Sequence, residues 1–201
     1  MREKFLQKRE EAKLNHEPIL RDKSLELLIK TSIENGCTDI LEVGTNVGLS
    51  GVALLLSIKN ARLTGIEINE EKALTAKKNY KEFGVDDRAR MFIGDATEII
   101  PLLSNEFDLI FLDGPKGHYF EYLPNLLVNL KVGGVIFADN VLFRGYVNGK
   151  VKTPHKFNTT KNSMQRYLNE VSNWEDLTTE IIDIEDGVCI TKKIKWKRLN
   201  Y

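Results

Sequence analysis

The 201-residue chain has only two cysteines, three histidines and five prolines, and no excess of either charge. Cys37 and Cys189 lie far apart and form no CxxC pair, which excludes a thiolate metal knuckle and a disulfide framework. Both read as ordinary buried thiols of a reducing compartment. His16, His118 and His155 have no metal-site spacing, so zinc is not expected. The 29 basic residues cancel the 29 acidic ones, so no global field steers the chain toward nucleic acid or a membrane. Apolar runs such as 52–56 fall far short of the roughly 20 residues that span a bilayer. The opening MREKFLQKREE has no apolar stretch of the kind a secretory signal needs. A cytoplasmic protein without a membrane partner is the expectation. What the chain does have, 42% hydrophobic and 29% charged residues, suffices for one core of ordinary domain size.

From residue 38 onward, runs rich in Val, Ile and Phe alternate with longer helical patterns. Strands are expected at 38–43, 62–68, 89–93, 107–112 and 133–138, with helices at 48–59, 70–83, 96–103 and 117–130. Continuous apolar strands alternating with helices predict a parallel sheet covered on both faces. After residue 140 the rhythm changes to a polar loop (144–157), a helix (159–171) and two β-like runs (177–184 and 187–193). Asp186-Gly187 suits a tight turn, so the last pair reads as a terminal antiparallel hairpin. Two helices, 2–15 and 18–35, precede the first strand. The expected fold is therefore α/β, Rossmann-like, with a seven-stranded, mostly parallel sheet. It forms a single domain, 1–201: a helical preface (1–36), a nucleoside- and metal-binding core (37–140) and an acceptor-side region (141–201).

The first strand runs into LEVGTNVGLS (41–50), where Gly44 and Gly48 permit a sharp turn close to a ligand at the next helix's amino end. A dinucleotide fingerprint needs a further glycine where Asn46 stands, which argues against a pyrophosphate on this loop. Glu42 would repel a diphosphate but would accept a hydrogen bond from an ammonium group. Glu67 ends the second strand, a place where a carboxylate takes ribose hydroxyls, and Asp95 with Ala96 ends the third, facing an adenine edge. An adenosine, no phosphate and a cationic amino-acid end describe S-adenosylmethionine. The competing reading is an ordinary strand-to-helix turn flanked by surface acids.

Asp113 ends the fourth strand, and Asp139-Asn140 ends the fifth. Two carboxylates and an amide oxygen make a hard donor set suited to Mg²⁺. Lys116, three residues after Asp113, is the candidate general base. Taken singly, Lys116 is a loop lysine and Asp139-Asn140 a turn; their conjunction with Asp113 suggests a site.

LEVGTNVGLS, IEIN, GDA, FLDGPKGHY and FADN together resemble the metal-dependent O-methyltransferases of the catechol/caffeoyl-CoA type. PILRDKSLELL (18–28), DNVLFRGYV (139–147) and EDGVCITKK (185–193) are similar to the bacterial tRNA 5-hydroxyuridine methyltransferases. The resemblance runs over 18–193. It implies a class I methyltransferase, with metal ligands Asp113, Asp139 and Asn140 and Lys116 as base. It also implies S-adenosylmethionine contacts at Leu20, Ser50, Glu67, Asp95 and Ala96, with Asp113 near the methionine end, Mg²⁺ replaceable by Mn²⁺, and a homodimer.

The acceptor implied is 5-hydroxyuridine at the wobble position of a tRNA anticodon loop, giving 5-methoxyuridine. A catechol presents the same pair of adjacent oxygens, so a small-molecule acceptor is the alternative, and a non-catalytic cofactor-binding protein a third. Charge favours RNA. Between 141 and 169 stand Arg144, Lys150, Lys152, Lys156, Lys161 and Arg166 with no acid, and the tail adds Lys192, Lys193, Lys195, Lys197 and Arg198. Arg144, Lys150 and Lys152 are the candidate RNA contacts, and Phe143, Tyr146 and Phe157 are candidates to stack a splayed base.

Overall fold

The apolar run between Thr38 and Gly44 forms an inner strand of one sheet, β1 (Asp39–Val43). The computed structural model describes residues 1–104 and 106–195. Around β1 lie β2 (Arg62–Glu67), β3 (Ala89–Ile93), β4 (Phe107–Leu112) and β5 (Leu130–Asp139), each parallel to its neighbour. β6 (Leu177–Ile182) and β7 (Val188–Lys193) complete the sheet in the order β3-β2-β1-β4-β5-β7-β6. β7 pairs antiparallel with both β5 and β6, so it alone runs against the rest. The expected seven-stranded α/β fold with its terminal hairpin is what forms.

The central strands are apolar throughout because both faces are covered. Leu41, Val43, Ile110, Leu112 and Ile136 point into one cluster with Leu123, Leu126 and Tyr167. Ile40, Leu109, Phe111 and Phe137 point the other way, onto Leu28, Val52, Leu55 and Tyr80. Those partners come from α6 (Tyr119–Asn129) and α7 (Asn158–Asn173) on the first face. On the second they come from α2 (Asp22–Glu34), α3 (Leu49–Ser57) and α4 (Glu70–Glu82). Each fully buried Leu or Phe contributes about 1.5–3 kcal/mol, so a polar replacement in any of these strands breaks one layer. α1 (Arg2–Leu14) precedes this body, and α5 (Ala96–Ile99) is one short turn followed by a 3₁₀ turn, Ile100–Leu102. Cys37 and Cys189 are buried free thiols. No helix among the described residues is long and apolar enough to cross a membrane.

The structure departs from the sequence reading in three places, the first being 96–103, where the expected helix shrinks to Ala96–Ile99 and a 3₁₀ turn. The second helix begins at Asp22 rather than at 18, and residues 18–21 run as an irregular strap. β5 begins at Leu130, three residues early, because its start pairs with Phe107 across an irregular step in register. The hairpin closes on the expected tight turn, in which Gly187 N donates to the Ile184 carbonyl at 2.8 Å across Glu185 and Asp186. Ile182 pairs with Val188 and leaves a five-residue loop (183–187) whose Glu185 (φ 55°) and Gly187 (φ 83°) lie in the left-handed region. The turn is also tied by side-chain bonds to distant parts of the chain.

Candidate active site

Strand order reverses between β1 and β4, and ligands in such sheets gather beyond the carboxyl ends at that point. The glycine loop occupies it. Gly44 (φ 91°) lies against the end of β4, where a Cβ would stand 2.6 Å from the Asp113 carbonyl oxygen. Gly48 (φ 78°) lies against α4, where a Cβ would stand 2.8 Å from that of Ala76. Both glycines thus clear room for neighbouring protein as well as for the turn. Asn46 takes φ 50°, tolerable for asparagine. Its backbone N–H donates to Glu67 Oε2 at 2.7 Å and its side-chain amide to the Pro18 carbonyl at 2.7 Å. Sequence reasoning passed over Asn46; its place in the missing-glycine position was the available signal.

A cavity of about 580 Å³ opens here, lined by Gly44, Asn46, Glu67, Asp95, Ala96, Asp113, Lys116 and Asn140. Glu67 also accepts from the Asn69 N–H at 2.9 Å, so its two oxygens brace the loops on either side. Asp95 caps α5 by accepting from Thr97 N at 2.8 Å and from the Thr97 hydroxyl. These bonds, the hydroxyl's first, hold its carboxyl below the ordinary value. His118 and Tyr122 also line this cavity and stack at 5.8 Å between centroids, two ring contacts the sequence reading missed. Leu20, Gly48 and Ser50 line an adjoining narrow crevice.

Glu42 is different. It is fully buried behind the loop and lines none of these hollows, so the expectation of a direct ligand contact is corrected. The Ser50 hydroxyl donates to Glu42 Oε1, while Oε2 has no partner. Burial pushes the carboxyl up to about 8, opposed by the Ser50 bond and reinforced by the charges of Asp113 and Glu67.

Asp113, Lys116, Asp139 and Asn140 share a second hollow of about 420 Å³, which has Pro18, Asp113, Lys116 and Asn140 in common with the lining of the first. The structure thus brings the predicted oxygen donors and the lysine together. Lys116 Nζ donates to Asp113 Oδ1 at 2.9 Å. Asp139 is 2% exposed and its Oδ1 has no hydrogen-bond partner. Burial and then the Asp113 charge push its carboxyl up to about 7, against Lys116 and the Asn140 N–H. Asn140 turns out of the strand at φ 56°. Among the described residues no three His, Cys, Asp or Glu side chains form a metal-binding group. The donor set here is two carboxylates and an amide.

Arg144 is exposed on the wall of the second hollow, its guanidinium 5.7 Å from the Phe157 ring centroid. Lys152 is exposed, whereas Lys150 spends its charge on Asp183 at 2.6 Å. Phe143, Tyr146 and Phe157 pack on one another, Tyr146 and Phe157 stacked at 5.7 Å. Of the basic tail, Lys193 is buried and donates to the Leu127 and Leu130 carbonyls, so it is not a surface cation. Lys192 donates to Asn35 Oδ1, and Lys197 and Arg198 lie outside the described residues.

Comparison with known proteins agrees with this architecture. The catechol O-methyltransferase of Niastella koreensis is 36% identical over 114 residues, 54% of this chain and 52% of that protein. The alignment therefore spans about half of that relative. A Staphylococcus aureus crystal structure, provisionally named a caffeoyl-CoA O-methyltransferase, superposes with a TM-score of 0.86 at 28% identity, covering 94% and 91% of the two chains. The O-methyltransferase TomG of Streptomyces achromogenes, solved in complex with SAM, shares the fold (TM-score 0.80, 24% identity, 88% and 82% covered). The family model for O-methyltransferases matches residues 5–194, nearly every element that builds the two hollows. The chain belongs to the O-methyltransferase family.

Proposed function

We propose that the chain transfers the methyl group of S-adenosylmethionine to the hydroxyl of 5-hydroxyuridine at the tRNA wobble position, giving 5-methoxyuridine. The nucleoside end lies in the larger cavity, with Glu67 on the ribose, Asp95 and Ala96 at the adenine edge, and His118 and Tyr122 flanking it. Leu20, Gly44, Gly48 and Ser50 enclose the methionine end beside Asp113. Glu42 acts on that end through Ser50.

The unpartnered, buried Oδ1 of Asp139, beside Asp113 and Asn140, fits a hard divalent cation, Mg²⁺ or Mn²⁺. Held by these residues, such a cation would supply positive charge beside the acceptor's two adjacent oxygens and lower the proton affinity of the one that carries the hydroxyl proton. Lys116 is the candidate base, at the boundary of the two hollows. As the sulfonium C–S bond breaks, a C–O bond forms to the ionised hydroxyl, and S-adenosylhomocysteine leaves.

The observation that carries the choice of RNA is the exposed Arg144 on the wall shared with Asp139 and Asn140, at the head of an acid-free stretch that runs to residue 169. A base in the hollow leaves its phosphates outside, within reach of Arg144 and Lys152. Replacing both with Glu is the test. Binding and methylation of tRNA should weaken, and the salt dependence of binding should flatten by about 0.7 per lost contact on a single strand. A small catechol, if methylated at all, should be little affected. Unimpaired tRNA methylation across a salt series overturns the reading.

A second reading, a small planar acceptor, draws on the Lys150–Asp183 pair and on the three rings packed together at the rim. Modification analysis of bulk tRNA from a deletion strain separates the two. The homodimer belongs to the same proposal, and light scattering tests it.

A further inference from the structure

The loop between β6 and β7 touches both flanks of the second hollow. Glu185 accepts from the Ser24 hydroxyl at 2.6 Å, from Ser24 N at 3.1 Å and from Lys23 N at 3.3 Å. These are free N–H groups of the first turn of α2, whose own N-cap position, Arg21, provides no side-chain cap. A carboxylate 161 residues away does so instead. Directly before α2 runs the strap 18–21, which lines the hollow and the methionine-end crevice.

The next two residues of the loop hold the opposite flank. Asp186 Oδ1 accepts from Arg144 N at 2.6 Å. The Asp186 carbonyl accepts from Leu142 N at 2.9 Å, and the Gly187 carbonyl accepts from Val141 N at 3.0 Å. Leu142 closes over Gly187 so tightly that a Cβ there would stand 2.3 Å from Leu142 Cγ. Both sides of this junction hold non-glycine residues in the left-handed region: Glu185 at 55°, Phe143 at 45° and Arg144 at 60°. Such conformations are unfavourable and persist only where the surroundings over-determine them. A helix cap needs none of this, because a serine or aspartate at position 21 would supply it locally.

We propose that Glu185 is a positioning residue for methyl transfer: through Ser24 it fixes the strap 18–21 on the cofactor side, and through the loop it shares with Asp186 it keeps that strap in register with the acceptor loop 141–144. The inference rests on the methyltransferase reading of the site but not on which acceptor is used. Its consequence is a link between two walls that share no segment of chain. Loosening the Glu185 end should loosen the acceptor loop, although Glu185 itself bonds only to α2.

The experiment compares the full-length protein with Glu185→Gln, Glu185→Asp and, as a control, Glu180→Gln, an exposed position on the same hairpin. Amide hydrogen exchange is followed at 18–24 and 141–147 without ligand, and S-adenosylhomocysteine affinity is measured by calorimetry. For Glu185→Gln, exchange should quicken in both segments and affinity should fall about tenfold, within the usual range for coupled sites. Glu185→Asp should lie between the wild type and Glu185→Gln, and Glu180→Gln should match the wild type. If Glu185→Gln does not fold, Ser24→Ala removes the hydroxyl donor alone and should give the same two-segment response at smaller amplitude. Faster exchange at 18–24 only, with unchanged affinity, reduces Glu185 to a local cap and overturns the proposal. A wild-type protein that binds no S-adenosylhomocysteine would instead overturn the cofactor reading, while the ligand-free exchange still decides the link.

Discussion

Lys116 Nζ and Asp113 Oδ1 stand 2.9 Å apart, a pair three residues long that lines both the larger cavity and the second hollow. Both side chains are largely buried, at 16% and 21% exposed. The proposed base is thus tied to a residue expected to hold both the cofactor and the cation.

Lys116→Met should separate chemistry from binding. Loss of a general base lowers kcat by about 10²–10⁴-fold, while S-adenosylhomocysteine affinity should stay near that of the wild type. Single-turnover rates and calorimetry on the same preparation check this. A defect confined to acceptor binding would reassign the lysine.

Glu67→Ala should weaken cofactor binding. Charge-assisted hydrogen bonds are worth about 1.5–3 kcal/mol, which is about 10- to 150-fold in Kd. Glu67 also holds Asn46 N and Asn69 N, so Glu67→Gln, which keeps an acceptor oxygen, should be milder. Calorimetry with equal affinity in both folded variants and the wild type would remove Glu67 from the site.

Glu42 makes stability depend on pH. Its folded carboxyl keeps its proton up to about 8, while the unfolded chain releases it near the ordinary value of 4.5. Between those values the folded state binds more protons, so the stabilisation is complete below the lower value and is lost as pH rises through the upper one. Glu42→Gln cannot ionise and escapes that loss. The Tm of the variant minus that of the wild type should therefore grow from about pH 5 to about pH 8. Parallel melting profiles would show that Glu42 does not titrate in this window.

Asp139→Ala, or a chelator added to the wild type, should abolish methyl transfer and leave S-adenosylhomocysteine binding largely intact. After chelation, Mg²⁺ or Mn²⁺ should restore activity and zinc should not, as hard oxygen donors require. Full turnover in chelator would refute the cation requirement.

Much of this molecule is legible in local sequence. Strands such as FDLIFL are recognisable because burial on both faces demands an unbroken apolar run. Asp113, Asp139, Glu67 and Asp95 are recognisable because each follows such a run, and parallel strands deliver their carboxyl ends to one edge. The convergence of these residues on adjoining hollows follows from the order of elements.

Tertiary structure alone decided which way each group faces and who neutralises it. Glu42 and Glu67 are both acids near strand ends, yet one is sealed behind Ser50 and the other opens to the cavity. Lys193 looked like part of a basic tail, but backbone carbonyls at 127 and 130 took its ammonium into the interior. Asp186-Gly187 was legible as part of a tight turn, but that Glu185 and Asp186 in this turn bond to Ser24 and Arg144 from across the chain was not. Composition and periodicity report what a residue does with its near neighbours. These outcomes depend on partners 8 to 162 positions away, and only the closed sheet brings them within hydrogen-bonding distance.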